Sequence, residues 1–176
     1  MIKFEFDAEK AIEALAYVAS RLNKPGNMYS VLKALYIADK AHLERYGRFI
    51  YGETYAALPY GPVPQNAYDA MRVLSGERQQ CFASAEIVAD RFRRLGDTVS
   101  SRRDPDLDSL SRSDVECLDE AIRDIEFDSF DAVKTKTHDA AYNKTPRCQE
   151  LNVEDIVNTF SESRRGPVLR YLTGRS

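Results

Sequence analysis

Between Asp7 and Leu22 the apolar positions Ile12, Leu15, Ala19 and Leu22 recur at intervals of three to four, the repeat that lays one side of an α-helix on a core. Asp7 stands where an N-cap is needed, and Pro25-Gly26 stands where that helix must stop. A second helix is predicted from about Tyr29 to Tyr46, with Leu32, Leu35, Tyr36, Ala38, Leu43 and Tyr46 on its apolar side and Gly47 placed for a left-handed stop. So short a connection favours antiparallel packing of the two. From Ile50 to Pro64 the pattern changes to Tyr, Gly and Pro, and only Thr54 to Leu58 has strand character. Pro59, Pro62 and Pro64 forbid a continuing helix, while Pro64 suits the first turn of a third one, carried by Ala67, Tyr68, Met71 and Leu74 and closed by Ser75-Gly76.

Further on, β-prone pieces at Ile87-Val88 and Thr98-Val99 flank a Gly96-Asp97 turn, and a hairpin is expected between Ile87 and Ser101. Ser111 and Asp114 have the spacing of a capping box ahead of a helix to about Ile125, whose buried face is Val115, Leu118, Ala121, Ile122 and Ile125. Phe130 to Tyr142 reads as a weaker helix, Asn152 caps one over Val153 to Phe160, and Gly166-Pro167 precedes a short tail. There is no internal repeat and no long linker. The expectation is one domain over residues 1–176 of the α+β class, mainly α: a compact helical body with a small antiparallel hairpin or sheet.

Composition fits a folded chain. At 176 residues, 43% apolar and 30% charged, the protein can bury a core without disulfide or metal staples. Lys33, Asp39 and Lys40 interrupt the longest apolar stretches, and the N-terminus has no secretory pattern, so a cytoplasmic protein without membrane contact is expected. Cys81, Cys117 and Cys148 form no C-x-x-C pair and read as reduced thiols. The net charge of −3 is unevenly placed, with eleven acids against Arg112 and Arg123 between Asp104 and Asp131. Such a strip repels phosphate and suits a basic partner, although a solvated helix face is its commoner meaning.

The densest polar cluster lies on the second helix, where Asp39 and His42 share a face. The only other histidine, His138, precedes Asp139. Were the two helices to meet, Asp39, His42, His138 and Asp139 would make a metal-assisted hydrolase conceivable, with capping or core hydrogen bonds as the plainer explanation. A second alternative is a winged-helix-like DNA-binding regulator using Arg91, Arg93 and Arg94 on the expected hairpin, opposed by the interleaved Asp90, Asp97, Asp104 and Asp106. No phosphate loop, nucleophile elbow or dinucleotide fingerprint occurs, and no cofactor or metal is called for. Ten tyrosines and no tryptophan, with Tyr46, Tyr51, Tyr55, Tyr60 and Tyr68 near one proline-stiffened segment, suit a preorganised recognition surface, or equally a strand packed onto its helices.

Leu32-Lys33-Ala34-Leu35-Tyr36-Ile37-Ala38-Asp39-Lys40, then His42-Leu43-Glu44-Arg45-Tyr46-Gly47-Arg48, Gly52-Glu53-Thr54-Tyr55, Tyr60-Gly61-Pro62-Val63-Pro64 and Tyr68-Asp69 together resemble the Panacea domain. The likeness is tight from about 28 to 74 and extends to about 142, where Thr137-His138 and Ala141-Tyr142 resemble a later motif. That family includes SocA-like antitoxins and GepA-like phage-associated proteins. The resemblance implies an antitoxin rather than an enzyme: a domain that neutralises a toxin encoded by a neighbouring gene through direct protein contact. The residues expected to meet that partner are Asp39, His42, Tyr46, Tyr55, Tyr60, Gly61, Pro62, Val63, Pro64, Tyr68 and His138. Residues 143–176, a C-terminal helix and tail, lie beyond the likeness and receive no role.

Overall fold

The side chain of Asp7 accepts a hydrogen bond from Lys10 N and starts α1 (Ala8–Arg21), whose buried side includes Leu15 and Val18. The computed structural model describes residues 2–22 and 26–174. Pro25, part of the expected stop, lies outside the described residues, and α1 already ends at Arg21. After β1 (Gly26–Asn27), Asn27 caps α2 (Met28–Tyr46), and Gly47 closes it at φ 69° with its N–H on Leu43 O. Helix α2 is buried on nearly all sides. Val31, Leu35 and Ala38 enter one apolar cluster with α1, and Tyr36 and Leu43 enter a second.

The chain then forms β2 (Tyr55–Leu58) and β3 (Gly61–Pro64), an antiparallel pair with Tyr55 opposite Pro64 and Ala57 opposite Pro62. That the proline run is itself a strand departs from the expectation. The reason lies in the register. Opposed residues in an antiparallel pair alternate between those that exchange hydrogen bonds and those that do not. Tyr55 and Ala57 turn their backbone groups away from β3: Ala57 N donates to Gln149 O, Ala57 O accepts from Cys148 N, and Tyr55 O accepts from Leu151 N. Pro62 and Pro64 therefore face positions at which no donor is required, and β2 runs between β3 and the segment at 148–151.

Helix α3 (Gln65–Leu74) starts after Pro64, and α4 (Ala85–Arg91) occupies the Ile87-Val88 stretch expected to be a strand, because Ser84 caps it through Ile87 N. The hairpin begins later, as β4 (Phe92–Leu95) and β5 (Thr98–Ser101) around Gly96-Asp97, and β1 adds to β5 to make the order β1-β5-β4. A single 3-10 turn (Leu107–Ser109) leads to α5 (Arg112–Ile125), which carries the expected capping box between Ser111 and Asp114. The helix expected over 130–142 is divided into α6 (Phe130–Thr137) and α7 (Ala140–Lys144), because Asp139 caps the second piece through Tyr142 N. Helix α8 (Val153–Val157) follows Asn152. The expected tail is instead α9 (Glu162–Thr173), with Pro167 inside it.

The class is α+β, mainly α. The first cluster joins α1, α2 and α5 to Phe92 and Val99 of the three-stranded sheet. The second packs Tyr36, Leu43, Phe49 and Tyr55 against Leu151, Ile156, Phe160 and Leu172. Among the described residues no helix is long and apolar enough to cross a membrane.

Candidate functional site

Tyr29, Lys33, Tyr36 and Lys40 are spaced four, three and four apart, so their side chains form one stripe along α2. Two of them reach the hairpin and two reach Asp139. Tyr29 Oη donates to Tyr60 O at 3.3 Å, Lys33 Nζ donates to Pro62 O at 2.7 Å, and Tyr36 Oη and Lys40 Nζ donate to Asp139 Oδ2 at 2.8 and 2.6 Å. The stripe thus fastens the β2–β3 hairpin and the α6–α7 joint to the central helix. Glu53 secures the hairpin's other end: its Oε1 accepts from Thr54 N, Asn66 N and Asn66 Nδ2, and its Oε2 accepts from Ala67 N.

Two further buried groups on α2 bond to other parts of the chain. Asp39 Oδ1 accepts from Ile50 N at 2.6 Å and Oδ2 accepts from Tyr55 Oη at 2.7 Å. Burial pushes its carboxyl up to about 7, against the pull of those two bonds. His42 lies one turn on, with Nδ1 2.9 Å from Arg48 O and Nε2 3.1 Å from both Ser113 Oγ and Asp114 Oδ1. Asp114 also pairs with Lys10 and Arg48. Burial alone would raise the Asp114 carboxyl, but the bonds from His42, Lys10 and Ser111 outweigh it and hold the group far below the carboxylate range.

Above this base the β2–β3 turn, the start of α2 and the start of α6 enclose a groove of about 530 Å³. Tyr29, Leu32, Lys33, Tyr60, Tyr68 and Phe130 are among its lining residues. Phe130 stacks on Tyr29 with ring centres 4.5 Å apart and meets the edge of Tyr60 at 5.8 Å. Tyr60 is 61% exposed, and Phe127, in the turn before α6, is 91% exposed. Exposed rings clustered beside a concave apolar surface are what a docking surface consists of.

Gly61 lies at the groove's inner edge with φ 106°, and a Cβ there would come within 2.9 Å of Lys33 Nζ and 3.2 Å of His138 Nε2. Lys33 is 1% exposed, and burial draws its ammonium down to about 7. His138 stacks on Tyr142 at 4.2 Å, its Nε2 makes no well-formed hydrogen bond among the described residues, and burial together with Lys134 and Lys33 lowers its proton affinity against the opposing pull of the Tyr60 backbone.

The residues expected to meet a partner are divided by this geometry. Tyr60, Val63 and Tyr68 line the groove. Tyr46 is exposed on a separate groove formed with α9, stacked on His42. Gly61, Pro62 and Pro64 form the groove's buried edge, with His138 half-buried behind Gly61. Asp39, His42 and Tyr55, expected on the contact surface, are enclosed, and their polar atoms bond within the chain: Asp39 and Tyr55 tie α2 to the hairpin, and His42 ties α2 to Arg48 and the start of α5.

The metal arrangement does not form. Asp39 faces Ile50 and Tyr55, His42 faces Asp114, and Asp139 faces Tyr36 and Lys40; among the described residues no three His, Cys, Asp or Glu side chains are placed to hold an ion. The basic hairpin is also corrected. Arg91 is 1% exposed, paired with Glu13 at 2.6 Å and bonded to Arg103 O, while Arg94 donates to Met71 O and Ser75 Oγ. Of the three arginines only Arg93 stands exposed. The acidic strip is largely engaged too, Asp119 with Tyr17, Glu120 with Arg45, and Asp124 and Asp128 with Lys136.

Sequence reasoning passed over Lys33, Tyr29, Glu53 and Phe130. The available signal was a lysine inside the apolar stripe of a helix, at the interval that lines it up with two tyrosines.

The architecture is that of a mainly helical α+β domain that braces a Tyr-Pro hairpin from beneath and leaves an aromatic groove above it. The chain is a member of the family described as antitoxin SocA-like, Panacea domain, whose family model matches residues 31–142, well over half of its length. That span contains the hairpin, most of the groove and His138. No curated protein and no solved structure matches the chain.

Proposed function

We propose that the protein is an antitoxin, acting in the cytoplasm as one domain over 1–176, that neutralises a toxin encoded by a neighbouring gene by binding it directly. The observation that carries this reading is membership of the SocA-like antitoxin family over 31–142. The structure supplies a surface suited to the task, a groove rimmed by the exposed rings of Tyr60 and Phe130 and fixed from below by Lys33 and Tyr29. It acts as a binding partner, not as an enzyme. Tyr60, Val63 and Tyr68 make the contact, and Gly61, Pro62, Pro64 and His138 shape it.

The test is co-expression of the chain with the products of the adjacent open reading frames. One of these, toxic alone, is expected to become harmless with the protein present, and the two should co-elute on size exclusion. Tyr60→Ala should melt close to the parent, since the ring is exposed, yet lose at least about 2 kcal/mol of binding if the ring is a central contact. Neighbours whose toxicity never changes on co-expression refute the assignment. A Tyr60→Ala protein with full neutralising activity moves the surface elsewhere.

A further inference from the structure

Lys33 is an anomaly for a buried cation. Its side chain is 1% exposed, yet no carboxylate among the described residues pairs with it; its polar contact is the Pro62 carbonyl at 2.7 Å, and it sits 5.2 Å from the centre of the Tyr29 ring. An ammonium has three donors, so this bond leaves two unmatched. Burying such a group without an opposite charge is costly, and the groove lies directly beside it.

A second nitrogen base faces the same spot. His138 Nε2 is buried without a well-formed hydrogen bond among the described residues, its ring beside the Tyr60 backbone, and it and Lys33 Nζ both lie within 3.2 Å of the point where a side chain on Gly61 would begin. The nearest acid in sequence, Asp139, already accepts from Tyr36, Lys40 and Tyr142 N. Burial, Lys134 and Lys33 together lower the proton affinity of His138, while burial alone lowers that of Lys33. Asp97 on the groove's wall and Asp131 near Tyr29 are the negative groups of the rim, and they are not bonded to either nitrogen.

We propose that the groove takes an acidic anchor: a carboxylate, carried by an apolar stretch of the partner protein, that enters between Tyr29 and Tyr60 and bonds Lys33 Nζ and His138 Nε2. This deepens the toxin-binding reading and rests on it for the identity of the partner. Entry replaces the long Tyr29 Oη to Tyr60 carbonyl bond, and Leu32, Leu58 and Phe130 receive the apolar flank. Charge complementarity selects the occupant. The carboxylate supplies the counterion that none of the buried acids among the described residues gives Lys33, since Asp39, Glu53 and Asp114 bond elsewhere.

The experiment needs no toxin. Phenylacetate, phenylacetamide and phenethylamine are titrated into the purified full chain by calorimetry, while the Lys33 side-chain resonances are followed by NMR across pH. Phenylacetate is expected to bind in the millimolar range, as suits so small a ligand, and at least about tenfold more tightly than the amide. On saturation the Lys33 titration should move back towards that of a free lysine. Lys33→Met should erase the preference for the acid, and His138→Gln should weaken it; the NMR titration of the parent protein decides the matter independently of either variant.

Equal affinity for acid and amide, or no binding of either, overturns the proposal. Preference for phenethylamine overturns it in favour of the rim acids Asp97 and Asp131 and a basic partner. Selection of phenylacetate by a protein that never rescues cells from a neighbouring toxin upholds the anchor and sinks the antitoxin reading. Rescue without acid preference does the reverse.

Discussion

Replacing Tyr55 by Phe removes one oxygen from the most enclosed part of the protein. Tyr55 is 2% exposed, and its hydroxyl donates to Asp39 Oδ2 at 2.7 Å and approaches Leu35 O at 3.3 Å. Without it Asp39 keeps only the Ile50 N–H on its other oxygen. The cost should depend on pH. Burial raises the folded carboxyl from 3.8 to about 7, so the folded state holds its proton across that interval, and the penalty for ionising Asp39 is absent below the lower value and complete above the upper one. A hydrogen bond to a neutral carboxyl contributes about 0.5–1.5 kcal/mol, whereas one to a carboxylate contributes about 1.5–3 kcal/mol. Tyr55→Phe should therefore lose about 1 kcal/mol near pH 5.5 and about 2–3 kcal/mol near pH 8.5, read as a lower urea midpoint at unchanged slope. Lys33 also titrates near neutrality, but it is present in both proteins and cancels in the difference. Equal losses at both pH values refute the assignment of the charge to Asp39, and so does a pH-dependent loss that survives in an Asp39→Asn background.

Gly61→Val should cost roughly 1–3 kcal/mol in urea denaturation, because φ 106° and the two nitrogens beside it leave no room for a side chain; an unchanged midpoint would mean that the edge relaxes freely. Lys33→Met should stabilise the protein at pH 6 by an amount on the order of a few kcal/mol that shrinks towards pH 9.5. The folded ammonium titrates at about 7 rather than 10.5, so its cost is complete below 7 and fades as the unfolded chain also loses the proton; thermal melts across pH check the sign. Arg91→Met should cost about 3–5 kcal/mol by taking away the buried cation that pairs with Glu13 and leaving that carboxylate only the Asp106 N–H, while Arg93→Met should stay within about 0.5 kcal/mol, a contrast measurable by chemical denaturation.

The elements that could be read from the sequence are those whose ends carry their own signals. Helices α1, α2 and α5 begin at Asp7, Asn27 and Ser111, and each presents an apolar repeat at helical spacing. Where long-range partners decide, local pattern misleads. Pro62 and Pro64 look incompatible with a strand until residues 148–151, far along the chain, take up the other edge of β2. Ile87-Val88 has strand propensity, but the Ser84 cap turns it into a helix. Pro167 reads as a stop, yet α9 continues through it, with Val168 and Leu172 packed in the second cluster. The site was half legible: the tyrosines and the hairpin stand out by composition, whereas the opposite fates of Asp39 and Tyr60, one at 0% and the other at 61% exposure, depend on Asp39 lying where α2 meets Tyr55 and Ile50 while Tyr60 sits in the hairpin's turn.

The pairing of β2 with residues 148–151 has a consequence for synthesis. When the ribosome has released Pro64, the hairpin has its inner neighbour, but Tyr55 and Ala57 still lack the backbone partners that Cys148, Gln149 and Leu151 provide. At about 5–20 residues per second the missing segment follows only several seconds later. During that interval the growing chain carries an unfinished strand edge, open to any extended peptide nearby. The groove above that strand acquires its final rigidity late in translation, and a nascent chain stalled before Cys148 should be the form most readily captured by chaperones or proteases.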